Sequence, residues 1–151
     1  MSRVKQQFDM ICAIAGGKQK DYFEWQRTVS KNIKISKIKD FPEDIQHRLN
    51  SQKIKRKECY RNACNITTSI RGAIYVEGYV VLHGLVMEHA WNKIGDLYVD
   101  ATFEKVLDFS TEFEEYVSVF ELTEEQVLTH MIETRVYGTW MGRVYESSVV
   151  K

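Results

Sequence analysis

Apolar positions Val4, Phe8, Ile11, Cys12 and Ala15 recur at three- and four-residue spacing, the period of one helix face. Gly16 and Gly17 stop that run, and an aromatic-rich helical pattern resumes over 22–29. Residues 33–39 alternate isoleucines with lysines and serine, an ambiguous stretch, and Asp40-Phe41-Pro42 sets up a short helix through Leu49. The spacing then predicts a helical segment over 51–71, closed by Gly72. From there the period changes to strand. Residues 74–82, 86–94 and 97–103 are rich in Val, Ile, Tyr and Trp, with Gly84 and Gly95-Asp96 as turns, the pattern of an antiparallel meander. A further strand is expected over 116–122. Thr123 with Gln126 three residues on forms a capping box that opens a helix to about Arg135. The tail, 136–151, fits strand or coil equally.

These elements predict an α+β fold: N-terminal helices, a helix packed on an antiparallel β-meander, and a C-terminal helix. At 151 residues the expectation is a single domain over 1–151, with a core at about 51–122 and a helical N-terminal extension, 1–50. Lys plus Arg and Asp plus Glu stand at 21 each, so no net field concentrates nucleic acid or an anionic membrane around the whole molecule. Three cysteines, an odd number, fit free thiols in a reducing compartment and a cytoplasmic location. The six apolar residues 10–15 follow Asp9 directly and fall short of the roughly 7–15 of a signal core. No apolar run approaches the roughly 18–20 residues of a membrane span.

Candidate chemistry centres on Cys59. A thiol nucleophile is activated by cations, a helix N-terminus or an imidazole, and Lys55, Arg56 and Lys57 precede this one. If Ser51 caps the helix, Cys59 lies two turns in and loses the dipole; if the helix begins near Glu58, the thiol sits in the first turn. The second part is the hairpin 87–103. A two-residue turn at Gly95-Asp96 pairs Ile94 with Leu97, which sets Trp91 opposite Asp100 and His89 opposite Thr102. His89 and Asp100 then share a face as diagonal neighbours, close enough for the carboxylate to orient an imidazole.

These residues carry a resemblance. Glu88-His89-Ala90-Trp91, a glycine turn and Val99-Asp100-Ala101-Thr102 resemble the His and Asp strands of the transglutaminase-like superfamily, relatives of papain-like cysteine enzymes. Lys57-Glu58-Cys59-Tyr60-Arg61-Asn62-Ala63 is similar to the helix that opens with the nucleophile. Tyr75-Val76-Glu77-Gly78-Tyr79 is similar to the strand that follows in small phage and bacterial members. The resemblance spans about 57–103, a third of the chain, and implies a Cys59, His89, Asp100 triad that attacks an amide through a thioester. The outcome would be that of a peptidase, amidase, deamidase or protein-glutamine transferase acting on a protein or peptide, without cofactor or metal.

Around the triad, the backbone N–H of Cys59 is the natural oxyanion donor, and Gln52 is the nearby amide that could join it. Trp91 is a candidate pocket residue, though an indole on a strand is more often core. Glu77 either faces solvent, the preferred expectation, or reaches the site. Cys12 lies on an apolar helical stripe and Cys64 has no cationic run beside it, so both are expected to be buried structural thiols. His83, His89 and Cys59 lack zinc spacing, and the run 53–57 is expected to be a solvated basic face rather than a nucleic-acid footprint. The alternative to an enzyme is an inactive domain of the same fold that engages a protein partner.

Overall fold

The computed structural model describes residues 2–106 and 113–149. The strand signal at 74–94 folds as one long hairpin. β3 (Ile74–Leu82) and β4 (Leu85–Ile94) pair antiparallel from Ile74 opposite Lys93 to Leu82 opposite Leu85. His83 and Gly84 turn the chain with φ of 50° and 78°, the left-handed pair that a two-residue hairpin needs. Because side chains alternate across a strand, Tyr75, Glu77, Tyr79 and Ala90 share one face, while Val76, Gly78, His89 and Trp91 share the other.

The second turn, at Gly95-Asp96, leads to β5 (Leu97–Val99), with Ile94 opposite Leu97 as expected from a two-residue loop. The strand stops there. Asp100 breaks it by capping a short helix, α5 (Ala101–Val106): its Oδ1 accepts the Phe103 N–H at 3.1 Å and its carbonyl accepts the Glu104 N–H. A carboxylate three residues ahead of an N–H is a strong N-cap, and here it outweighs the β propensity that extended the expected strand to Phe103.

β6 (Glu115–Leu122) lies on the far side of β3. With β1 (Lys31–Ile33) and β2 (Ile35–Ser36) it completes a curled sheet of order β1-β6-β3-β4-β5-β2. All pairings are antiparallel except β2 with β5. The meander is thus three strands of a larger sheet. Between Glu77 and Gly78 the β3–β6 register slips by one residue, a bulge that sharpens the local twist.

Helices close both sides. α1 (Arg3–Ile14) and α2 (Gly17–Val29) lie before the sheet, and α3 (Glu43–Asn50) follows a 3-10 turn at Ile38–Asp40. The expected 51–71 helix is shorter: 51–58 is a loop, and α4 is Cys59–Ser69. α6 (Glu124–Thr134) opens with the expected box, Gln126 N–H to Thr123 Oγ1 at 3.3 Å and Thr123 N–H to Gln126 Oε1 at 2.9 Å. The tail is helical as well, α7 (Met141–Val149), with the Tyr145 ring against Tyr22 and Trp25.

Three apolar clusters result. Val4 and Phe8 join Ala63, Cys64, Tyr75, Tyr79, Val127 and Trp140 on one face of the sheet. Val76, Val80, Trp91, Tyr98 and Tyr116 pack on the other. Ile66, Ile70, Leu49 and Ile38 fill the end beside Ile94 and Val99. The first fifty residues are therefore integral to the core, supplying Val4, Phe8 and Leu49 together with two edge strands, rather than an appended extension. Among the described residues no helix is long and apolar enough to cross a membrane.

Candidate active site

α4 begins at Cys59, so the thiol sits on the first helical residue, the later of the two starts that the sequence allowed. Glu58 occupies the cap position with φ −121° and ψ 49° and offers no side-chain bond; the first helical bond runs from the Asn62 N–H to the Glu58 carbonyl at 2.9 Å. The N–H of Cys59 thus has no partner within the helix, and the positive end of the helix dipole falls on the half-buried thiol.

Two buried amides hold this helix end. Asn62 clamps the loop ahead of it, accepting the Lys55 N–H at 3.0 Å and donating to the Lys55 carbonyl at 2.7 Å; it also donates to Thr102 Oγ1 on α5 at 3.0 Å. Asn92 on β4 donates to the Ala63 carbonyl and to Thr67 Oγ1, both at 3.0 Å. α4, which begins at Cys59, is thereby tied to the strand that carries His89. Satisfied buried networks of this kind fix one geometry because any slip strands a polar group.

β5 pairs with β4 only as far as Asn92, which leaves the edge beside His89 to α4 and α5. Asp100 is not the strand residue opposite Trp91 that the hairpin spacing implied, and Thr102 is on a helix. The contact is made all the same: His89 Nε2 and Asp100 Oδ2 are 2.7 Å apart. The same oxygen accepts the Tyr116 hydroxyl at 2.7 Å, so three donors hold the carboxylate. Asp100 is 2% exposed, not the solvent-facing carboxylate of a strand end.

The imidazole is buried between Trp91, stacked at 6.1 Å, and Phe113, edge-on at 5.5 Å. Burial by itself disfavours the imidazolium. The charge and hydrogen bond of Asp100, joined by those of Cys59, outweigh it and push the His89 pKa up to about 10. Nε2 is engaged by Asp100, so Nδ1 is the ring atom not taken by the carboxylate. Cys59 lies close enough to the His89–Asp100 pair to act on the charge of the ring.

The other nominated residues are placed elsewhere. Gln52 lies past α3, its amide donating to the Arg48 carbonyl at 3.4 Å and its own carbonyl accepting from Lys105 Nζ at 3.1 Å. Its side chain is turned to a helix C-terminus rather than offered as a second oxyanion donor. Trp91 is 1% exposed and forms the floor beneath His89, so it is core and no pocket wall. Glu77 is 1% exposed, contrary to the preference for solvent. Its carboxylate accepts the Tyr75 hydroxyl at 2.7 Å, the Thr139 hydroxyl and the Trp140 N–H at 3.0 Å, anchoring the segment that leads into α7. Cys12 and Cys64 are buried, and Cys64 donates to the Tyr137 carbonyl at 3.2 Å; burial pushes its pKa up, against ionisation.

Glu77 gives a pH prediction of unusual sign. Burial raises its pKa from 4.5 to about 7, against the lowering effect of its three donors. A carboxyl whose folded pKa lies above its unfolded value adds stability below the unfolded value and loses it as pH rises through the folded one. Relative to Glu77→Gln, which cannot ionise, the wild type should lose roughly 2–4 kcal/mol between pH 4.5 and pH 8. Urea midpoints of both proteins across that range measure the difference; parallel curves would refute it.

Tyr116, Asn62 and Phe113 were missed as site residues. A tyrosine or phenylalanine near a strand reads as core, and nothing local to Asn62 marks it as a clamp. Among the described residues no group of three or more His, Cys, Asp or Glu is placed to hold a metal ion. Comparison of the chain with protein-family models, with curated proteins and with solved structures finds no match in any of the three.

Proposed function

We propose that this chain is a cysteine-dependent acyl-transfer enzyme with a transglutaminase-like site, acting on an amide through a thioester. The observation that supports it best is the buried His89–Asp100 pair, 2.7 Å apart, beside a thiol on the first residue of α4. An imidazolium and a helix N-terminus both favour thiolate over thiol. Cys59 then attacks the carbonyl carbon, forming the S–C bond. The oxygen that becomes negative is stabilised by N–H donors at the start of α4, that of Cys59 first. Collapse of this intermediate breaks the C–N bond as His89 passes its proton to the leaving amine. Water or a second amine then attacks the thioester carbonyl, His89 takes the nucleophile's proton, and the C–S bond breaks to return the Cys59 thiolate beside the imidazolium. Asp100 keeps the ring oriented throughout and stays ionised.

An activated ester such as p-nitrophenyl acetate tests this without knowledge of the natural substrate. Acid-quenched protein should carry an acetyl thioester on Cys59, labile to hydroxylamine, and Cys59→Ser should carry none. Protein that releases nitrophenol no faster than buffer, with Cys59 unmodified, would favour a domain that only binds a partner.

A further inference from the structure

Asp100 has a second user. The oxygen that meets His89 Nε2 at 2.7 Å also accepts the Tyr116 hydroxyl at 2.7 Å. Tyr116 comes from β6 and Asp100 directly follows β5, strands that β3 and β4 separate in the sheet order, so the contact joins distant parts of the sheet. The ring is held edge-on against Trp91 at 5.2 Å and Phe113 at 5.5 Å, the two aromatics that also flank His89. A buried tyrosine hydroxyl needs a partner, and this one is given to the atom that orients the imidazole.

We propose that Tyr116 is a positioning residue that acts on His89 through Asp100, fixing the carboxylate and drawing off part of the negative charge that would otherwise go to the imidazolium. The inference rests on the reading of Cys59, His89 and Asp100 as an acyl-transfer site. Its physical basis is competition at one oxygen. Each donor to a carboxylate stabilises its charge and weakens its hold on the next. Among the described residues, the charged and titratable groups at the ring are Asp100 at the start of α5, Cys59 on α4 and, through Asp100, Tyr116 on β6. With Tyr116 in place the imidazolium is held firmly but not maximally, and a proton donor that must release its proton to a leaving amine benefits from that restraint.

The test is an NMR titration of the His89 ring in the wild type, Tyr116→Phe, Asp100→Asn and the double variant. Phenylalanine keeps the ring packing and removes only the hydroxyl. In Tyr116→Phe the ring should hold its proton to a pH higher by roughly one unit, and the alkaline limit of Cys59 acylation should move with it. In the Asp100→Asn background the same substitution should produce no further shift. An unchanged or lowered titration in Tyr116→Phe would overturn the proposal, as would an equal shift in both backgrounds, which would mean that Tyr116 acts without Asp100. A purely structural role would lower the urea midpoint and leave the titration alone. Failure of the acyl-transfer reading would appear separately, as absence of acyl groups on Cys59, whatever the His89 titration does.

Discussion

His89→Ala should lower steady-state turnover of p-nitrophenyl acetate at pH 7 by roughly two orders of magnitude or more, the usual cost of losing a general acid-base. The loss falls in two places. Without the imidazole no adjacent base takes the Cys59 proton, so acylation slows. Deacylation loses more, because water then attacks the thioester with no base to take its proton. Asp100→Asn should follow in the same direction, since an amide still meets Tyr116 and caps α5 but cannot stabilise an imidazolium. The fold should survive His89→Ala: Asp100 retains the Phe103 N–H and the Tyr116 hydroxyl, so no buried carboxylate is stranded. Full turnover in a folded His89→Ala protein would contradict the assignment.

Gly78→Ala should be the most destabilising single-methyl change in the described sheet, by about 3 kcal/mol or more, at or beyond the upper end of ordinary overpacking. Gly78 sits at the β3–β6 bulge, opposite His89 on one side and Ser118 on the other. A Cβ there would lie 1.9 Å from the Val117 carbonyl oxygen and 2.9 Å from the Ser118 Cα. Both are backbone atoms of a paired strand, which cannot swing aside as a long side chain would. Relief requires β6 to move, and β6 carries Tyr116. The variant should therefore lose urea midpoint with m preserved, and lose Cys59 reactivity more than stability alone explains. A midpoint equal to that of the wild type would show that the bulge is not held as described.

How much of this was legible beforehand depends on whether the signal was local. The β3–β4 hairpin and α6 were, because alternation, a tight turn and a capping box each lie within a few residues. The Ile94 to Leu97 pairing was legible for the same reason. The end of β5 is not legible locally, because Val99, Thr102 and Phe103 favour strand while the capping role of Asp100 shows only once the chain has turned. His89 and Asp100 meet, although through a helix cap rather than a cross-strand diagonal. Glu77 could not be placed from its own strand, since Thr139 and Trp140, which fill its carboxylate, lie some sixty positions later. Tyr116 was hidden for the same reason, since its partner Asp100 follows β5, a strand that β3 and β4 separate from β6 in the sheet.

The central claim is that Cys59 is held ready to attack by His89 and Asp100, and its most direct measurement is the pH dependence of iodoacetamide alkylation at Cys59 in the folded protein, followed by peptide mass spectrometry from pH 5 to 9. Cys12 and Cys64 are buried and serve as internal controls. We expect Cys59 to be alkylated at pH 6 at least about tenfold faster in the wild type than in a folded His89→Ala protein. Equal rates in the two proteins would contradict it.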